Sequence, residues 1–220
     1  MRPMIYLDNV YKFYRIDRFR KTVLNFVTVN FEPGRNYGIL GVNGAGKSTL
    51  MRLLAGTELP NSGTIRRTAR VSWPLGFAGG LHPGMTGRDN TQFIARIYGM
   101  DPRKVTEFVE DFAEIGPYID APVKTYSSGM IQRVAFGLSM AIDFECYLID
   151  EVMAVGDERF RLKCKAEFDK RKKYADLILV SHSIPNILEY CERGMVLANG
   201  QLHYFQNVDD AVEMYKRLNM

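Results

Sequence analysis

A glycine-rich segment near residue 45 carries the residue types that bind a nucleotide phosphate. Residues 41–49 read GVNGAGKST, which fits the pattern G-x-x-x-x-G-K-[ST]. Glycines at 44 and 46 would let backbone N–H groups close on phosphate oxygens, and a helix beginning there would add its positive dipole end. We expect Lys47 to pair with the β- and γ-phosphates and Ser48 to bind Mg²⁺. The predicted ATP-binding loop residues are Asn43, Gly44, Ala45, Gly46, Lys47, Ser48 and Thr49.

Two consecutive carboxylates end an apolar segment later in the chain. Residues 146–151 read CYLIDE, the pattern of a buried strand that ends in acid. Acidic strand ends are common, so this pattern alone is a weak signal. After a phosphate-binding loop it is a strong one, because Asp150 can then hold Mg²⁺ through water and Glu151 can act as the general base that polarises the attacking water.

The elements that must position these residues alternate between strand and helix patterns. Short apolar runs such as 36–40, 145–150 and 175–181 predict buried strands, and helical spacing predicts helices over about 86–98, 102–114 and 127–141. The pair Asn199–Gly200 predicts a hairpin turn. We therefore predict an α/β fold: a P-loop NTPase core with a mostly parallel sheet, an antiparallel β flank formed by the first strands, and an inserted α-helical subdomain.

Composition excludes few functions. The chain has 29 Lys and Arg against 25 Asp and Glu, and the net charge of +4 permits an anionic ligand or a membrane surface but requires neither. Its three cysteines lack C-x-x-C spacing, which favours buried thiols over a disulfide or metal site. No run of 18 apolar residues occurs, and the first residues do not resemble a signal peptide. We expect a protein that reaches a membrane through a partner.

A serine- and glycine-containing segment precedes an apolar helix pattern. Residues 126–133 read YSSGMIQR, in which Ser127 and Ser128 suit a helix N-cap, while Gly129 is unusual because glycine weakens helices. The segment resembles the signature sequence of ATP-binding-cassette (ABC) ATPases. It departs from that signature at Ser128, where glycine is usual, and at Met130, where glutamine is common. Both changes leave a helix N-terminus that can bind phosphate.

Further positions fit the same family pattern. The residues AVGD resemble the family's D-loop, with Asp157 as its aspartate, and LVSHS places His182 where the family has a histidine that contacts the γ-phosphate. The residues NVYKFYR place Tyr14 where the family stacks an aromatic ring on adenine. The resemblance covers essentially the whole chain and implies a single ABC-type nucleotide-binding domain over 1–220, with its helical subdomain at about 84–142.

The resemblance also implies partners. In that family two nucleotide domains enclose two ATP molecules, the P-loop of one facing the signature helix of the other, and hydrolysis drives a membrane partner. We therefore expect a homodimer that works with a polytopic permease subunit at the cytoplasmic face of the inner membrane. The segments SWPLGFAGG and EVMAVGDERF resemble the ATP-binding subunits of polysaccharide exporters, and most of all those of capsule export in Gram-negative bacteria. In such a system the permease handles the polysaccharide.

The loop at 72–87 departs from the general family pattern. It reads SWPLGFAGGLHPGMTG and has no glutamine, although ABC ATPases carry a glutamine there that senses Mg²⁺ and the attacking water. Alignment places Phe77 at that position. We expect the apolar loop either to border the groove that receives a helix of the membrane partner or to pack the helical subdomain.

Other functions remain open at this point. An exporter of O-antigen or teichoic acid is one alternative, although the chain leaves no room for the sugar-binding domain that often follows O-antigen ATPases. A soluble ABC ATPase that acts on nucleic acid is another, because residues 159–173 include eight Lys or Arg. A solvated helix face explains this charge more simply, so we expect no nucleic-acid partner. A P-loop kinase would not explain YSSGMIQR.

Overall fold

The chain divides into two compact units. A computed structural model describes residues 4–75, 78–150 and 157–219. The first unit consists of Met1–Pro74, Phe144–Glu151 and Ala175–Met220, and the second of Leu75–Asp143 and Val152–Tyr174. The second unit thus covers the segment at 84–142 where the sequence predicts a helical subdomain, and it also takes in a later segment.

The first unit contains two β-sheets. Its strands are β1 (Ile5–Ile16), β2 (Phe19–Phe31), β3 (Tyr37–Leu40), β4 (Ser62–Arg67), β5 (Val71–Pro74), β6 (Cys146–Asp150), β7 (Asp176–Val180), β8 (Arg193–Ala198) and β9 (Gln201–Phe205). One sheet has the order β2-β1-β4 and is antiparallel. The other has the order β5-β6-β7-β3-β8-β9 and is parallel except for β9. The carboxyl ends of β3, β6 and β7 therefore meet at one edge of the parallel sheet, where ligands of open α/β sheets bind.

The helices begin and end where local signals predict. They are α1 (Lys47–Ala55), α2 (Gly87–Ile97), α3 (Pro102–Ala113), α4 (Ser128–Ala141), α5 (Glu158–Arg171), α6 (Ile184–Tyr190) and α7 (Val208–Leu218). Helix α2 begins with a reciprocal capping box between Thr86 and Asp89. Helix α1 ends at Gly56, whose left-handed backbone satisfies the last carbonyl groups. The predicted helices at 86–98, 102–114 and 127–141 are thus confirmed to within two residues.

The hairpin predicted at residues 199 and 200 is also confirmed. Asn199 and Gly200 both have positive φ, 49° and 76°, which a two-residue turn between antiparallel strands requires. Gln201 pairs with Ala198 across this turn. The carbonyl oxygen of Gly200 accepts a hydrogen bond of 2.8 Å from the backbone of Asn25, which joins the hairpin to β2.

Each unit has its own apolar core. In the first, the parallel strands contribute buried side chains on both faces, as the all-buried β3 shows, and Phe31 packs edge-on against Tyr37 with ring centroids 5.1 Å apart. In the second, the ring of Phe112 lies 5.9 Å from that of Phe136 and 5.5 Å from that of Phe160. The three cysteines are buried and free. Among the described residues there is no helix with the length and apolar character that crossing a bilayer requires.

Candidate functional site

The loop between β3 and α1 forms one wall of a pocket of about 560 Å³ in the first unit. Eight of the predicted site residues line it: Tyr14, Asn43, Gly44, Gly46, Lys47, Ser48, Thr49 and Asp150. Two further described residues, Lys21 and Val23, also line it and have no predicted role. The predicted loop residue Ala45 does not line the pocket but packs against the apolar core. The fold therefore brings together side chains from β1, β2, the loop and the end of β6.

The loop glycines are required by the backbone and by close packing. Gly46 is the N-cap of α1 with φ of 107°, and a β-carbon there would lie 2.1 Å from Cγ1 of Val23. Gly44 also has positive φ, 78°. Because Gly46 has no side chain, no side-chain cap occupies the first N–H groups of α1. These donors and the positive end of the helix dipole are therefore available to an anion that enters the pocket.

Lys47 and Ser48 stand at the first turn of α1. The Lys47 ammonium group donates to the carbonyl oxygens of Gly41, at 2.7 Å, and Val42, at 3.2 Å. These contacts hold the lysine against its own loop, at the pocket wall. Ser48 is exposed at the pocket, so its hydroxyl group is accessible to a ligand.

The acidic end of β6 reaches the same pocket. Asp150, half-buried, lines it together with Ser48. A carboxylate and a hydroxyl oxygen are the hard donors that Mg²⁺ prefers. Within the described ranges no group of three or more His, Cys, Asp or Glu side chains could hold a metal by itself; Mg²⁺ commonly completes its shell with water and substrate phosphates. The donor set therefore fits Mg²⁺ bound together with a nucleotide. Glu151 lies outside the described residues.

A charged network anchors Tyr14 at the edge of the pocket. Its hydroxyl group donates to the carboxylate of Glu58, accepts from Arg52 at 3.2 Å and lies 3.3 Å from the hydroxyl of Thr49. Lys12 pairs with the same Glu58 carboxylate at 2.6 Å. Burial raises the pKa of Glu58, but hydrogen bonds from Lys12, Tyr14 and Arg52 outweigh it and lower the pKa to about 2. The network fixes the Tyr14 ring beside α1.

His182 follows β7, the strand next to β3. It is exposed, and the preceding Ser181 is buried and accepts a 2.9 Å hydrogen bond from the backbone of Ser183. This places His182 at the same sheet edge as the phosphate loop, but not among the residues that line the pocket.

The signature-like segment starts helix α4 in the second unit. Ser127 is the N-cap and accepts a 3.2 Å hydrogen bond from the backbone of Met130, and Ser128 is the first helical residue. Gly129 has room for a side chain. Among the described residues, the nearest atom to a β-carbon built there would be the Ser127 hydroxyl oxygen, at 3.9 Å. Packing within the described chain therefore does not explain this glycine.

Asp157 begins helix α5 in the same unit. As the N-cap it accepts a 2.9 Å hydrogen bond from the backbone of Phe160, and it pairs with Arg133 of α4 at 2.8 Å. The N–H of Phe160 and the positive charges of Arg133 and Arg159 lower the pKa of Asp157, although desolvation opposes them. Its carboxylate thus connects the start of α5 to the signature helix.

The apolar loop at 72–87 is described in part. Leu75 is buried, and Trp73 packs edge-on against Phe144 at 5.2 Å. Ser72 is buried as well, and its hydroxyl accepts a 2.9 Å hydrogen bond from the backbone of Leu148. Phe77 lies outside the described residues. In the described part of the loop, the apolar residues Trp73 and Leu75 thus pack inside the protein.

Most cations of the basic segment 159–173 are paired within the second unit. Five of the eight have a carboxylate partner within 4 Å: Arg159, Lys163, Lys170, Arg171 and Lys172. The Glu114 carboxylate forms ion pairs with both Arg159 and Lys163, and the backbone of Glu114 adopts the left-handed conformation that ends α3. The pairing reduces the positive field that a run of eight cations would otherwise present.

Comparison with known proteins identifies the family. The sequence profile described as ABC transporter matches residues 24–154, more than half of the chain. The chain belongs to the ABC transporter family. The family assignment and the predicted class, an ATPase of a transport system, are confirmed.

Two curated relatives match this ABC transporter chain along nearly its whole length. The ATP-binding protein BexA of Haemophilus influenzae is 50% identical over 212 residues, which cover 96% of this chain and 98% of BexA. The capsule polysaccharide export ATP-binding protein CtrD of Neisseria meningitidis serogroup B is 49% identical over 215 residues, which cover 98% of this chain and 100% of CtrD.

A solved structure confirms the predicted fold. A dimeric structure of a post-hydrolysis state of the ATP-binding cassette MJ0796, bound to ADP and Pi, superposes with a TM-score of 0.74. It covers 93% of this chain and 99% of that one at 21% sequence identity. At this identity the likeness establishes the fold of the ABC ATPase and nothing more.

Proposed function

We propose that this chain is the ATP-hydrolysing subunit that powers export of a lipid-linked capsular polysaccharide through a separate membrane subunit. The observation that carries the proposal is the 49% identity to CtrD over 98% of this chain and 100% of CtrD. Identity at this level along whole chains supports a shared task as well as a shared fold.

The pocket supplies what ATP binding requires. The Tyr14 ring, anchored through its hydroxyl group, offers a flat face for adenine. The uncapped N–H groups at the start of α1 and the ammonium group of Lys47 offer donors for the phosphates. Asn43, Gly44 and Thr49 complete the wall around them.

Hydrolysis needs a base and a charge-neutralising ion. Ser48 and Asp150 would hold Mg²⁺, which neutralises phosphate charge when bound. Glu151, directly after Asp150 in the sequence, would take the proton of the attacking water. His182, exposed after β7, would contact the γ-phosphate. These roles come from the family resemblance, residue by residue.

Two copies of the chain would share each ATP molecule. Ser127, Ser128 and Gly129 would face the phosphates held by the partner subunit, with Asp157 at the same interface. The open space at Gly129 supports this arrangement, because a residue that packing does not require to be glycine is explained when another molecule approaches it.

The permease would hold the sugar polymer, while this chain acts at the cytoplasmic face of the inner membrane as a peripheral subunit. The absence of a spanning helix from the described residues agrees with that division of labour. A nucleic-acid target is disfavoured, because five cations of the basic segment are engaged by carboxylates.

Affinity purification from membranes tests the proposal. The tagged chain should co-purify in detergent with a polytopic membrane subunit, and the complex should hydrolyse ATP faster than the isolated chain. Deletion of the gene should trap polymer inside the cell, and chemical analysis of that polymer distinguishes capsule from O-antigen and teichoic acid. Recovery with ribosomes or DNA instead of a membrane subunit would contradict the proposal.

A further inference from the structure

The hairpin formed by β1 and β2 places one unassigned lysine opposite Tyr14. Ile16 pairs with Phe19, so the connection between the strands is a two-residue turn. Counting back from that turn, Tyr14 pairs directly with Lys21. Directly opposed residues of antiparallel strands project from the same face of the sheet. Lys21 therefore shares the face on which Tyr14 meets the nucleotide pocket.

A second residue of β2, Val23, reaches the same pocket. Lys21 and Val23 both line the pocket, and Val23 is the extra residue of a register irregularity between the pairs Phe13–Thr22 and Lys12–Leu24. Val23 packs against Gly46, where its Cγ1 atom would lie 2.1 Å from an added β-carbon. Val23 thus fixes β2 against the phosphate loop and sets the position from which the lysine side chain extends.

The ammonium group of Lys21 lies over the phosphate loop. A β-carbon built on Gly44 would lie 3.7 Å from Nζ of Lys21, so the charge occupies the space next to the loop glycine. Within the described ranges the ammonium group of Lys21 makes no hydrogen bond or ion pair. The adjacent Arg20 differs, since its guanidinium group stacks on Phe13 at 4.1 Å.

The described part of the pocket lining carries more positive than negative side chains. Among the described residues it contains two lysines, Lys21 and Lys47, against one carboxylate, Asp150. Lys47 approaches from the first turn of α1 and Lys21 from β2. A ligand with several negative charges between them would receive charge-assisted hydrogen bonds from both sides.

We propose that Lys21 is a second phosphate-binding lysine, which contacts the distal phosphates of ATP from β2 while Lys47 contacts them from the loop. The inference rests on the proposed ATP site at residues 41–49. A charge-assisted hydrogen bond that is exposed to solvent contributes a binding free energy at the weak end of the usual range for such bonds. The loss of one should therefore weaken ATP binding about tenfold.

Titration calorimetry on the full chain tests this role with four variants. Lys21→Ala should raise the Kd for ATP about tenfold, leave the Kd for AMP within about twofold and keep the melting temperature. Lys21→Arg should restore most of the ATP affinity, because it retains the charge. Lys104→Ala removes an exposed lysine from α3 and should leave the ATP affinity unchanged. Lys47→Ala should lose ATP binding, which validates the site itself.

The outcomes separate the two proposals. If Lys47→Ala abolishes ATP binding but Lys21→Ala binds ATP within twofold of wild type, the Lys21 role is wrong and the ATP site stands. An equal loss of ATP and AMP affinity in Lys21→Ala also overturns the role, because it indicates a displaced strand. If Lys47→Ala binds ATP normally, the ATP site itself is wrong.

Discussion

Nζ of Lys12 lies 2.6 Å from Oε1 of Glu58, and both side chains are largely buried beside the nucleotide pocket, 10% and 18% exposed. The same carboxylate receives hydrogen bonds from Tyr14 and Arg52. Strand β1 and the segment after α1 are thereby connected by one anion. The ring expected to stack on adenine is held by this anion.

This network predicts a pH dependence of stability. The folded pKa of Glu58, about 2, lies below its usual 4.5, so its stabilising effect is complete above pH 4.5 and is lost as the pH falls towards 2. Glu58→Gln should destabilise the protein at pH 7 by about 1.5–3 kcal/mol, because Lys12 and Arg52 lose a charged acceptor. Urea unfolding at pH 7, 4 and 3 should show that the difference in the free energy of unfolding between wild type and variant becomes smaller as the pH falls. A difference that stays constant across that range would contradict the assignment.

The glycine in the signature helix predicts opposite effects on stability and activity. Gly129→Ala should stabilise the isolated subunit by about 0.5–1 kcal/mol, because alanine favours the helix and the space is open. Gly129→Asp should still bind ATP as a monomer but should neither dimerise nor hydrolyse it, since its carboxylate would face phosphate. Thermal unfolding, ATP binding and turnover measured on both variants test this. Loss of ATP binding by the Gly129→Asp monomer would place the signature in the same subunit as its ATP and refute the shared site.

Substitution of the predicted base should separate binding from turnover. Glu151→Gln should bind ATP but hydrolyse it about 10²–10⁴-fold more slowly, because the water loses its proton acceptor. Sedimentation with ATP should then show stable dimers. The double variant Glu151→Gln/Gly129→Asp is the control and should remain monomeric. Turnover near the wild-type rate in Glu151→Gln would exclude it as the base.

The apolar loop offers a matched pair of variants. Trp73 packs on Phe144, so Trp73→Ala should destabilise the isolated subunit by about 1.5–3 kcal/mol. Phe77→Ala should instead preserve ATP binding and stability and weaken co-purification with the membrane subunit, if Phe77 contacts that partner. Melting temperature and membrane pull-down on both variants decide the matter. A destabilised Phe77→Ala subunit that still assembles and exports normally per folded molecule would refute docking.

Local signals explain why much of the fold is predictable from sequence. Three features depend on only a few neighbouring residues and can therefore be predicted without tertiary structure: the Thr86–Asp89 capping box, the helix end at Gly56 and the turn at Asn199–Gly200. The phosphate loop is equally local, because one contiguous segment carries both its glycines and its lysine.

Contacts between distant segments explain what sequence reasoning missed. The packing of β1 against the segment after α1 brings Lys12 and Glu58 together. No periodic pattern in the sequence predicts that ion pair. Lys21 could have been found, because a two-residue turn at Asp17–Arg18 sets it opposite Tyr14; Asp17 adopts the positive φ of 49° that such a turn needs. The turn lacks the Asn-Gly or Asp-Gly pair that usually reveals such a hairpin in a sequence.

Localisation of the polymer in the bacterium that encodes the chain tests the central claim most directly. The chromosomal gene would be replaced by Lys47→Ala, with Lys104→Ala as the control, and capsular polysaccharide would be stained in intact and permeabilised cells. We predict that Lys47→Ala cells make polymer but retain it inside, whereas Lys104→Ala cells display it on the surface. Surface polymer at the wild-type level in Lys47→Ala cells would contradict the account, because export would then proceed without the ATP site.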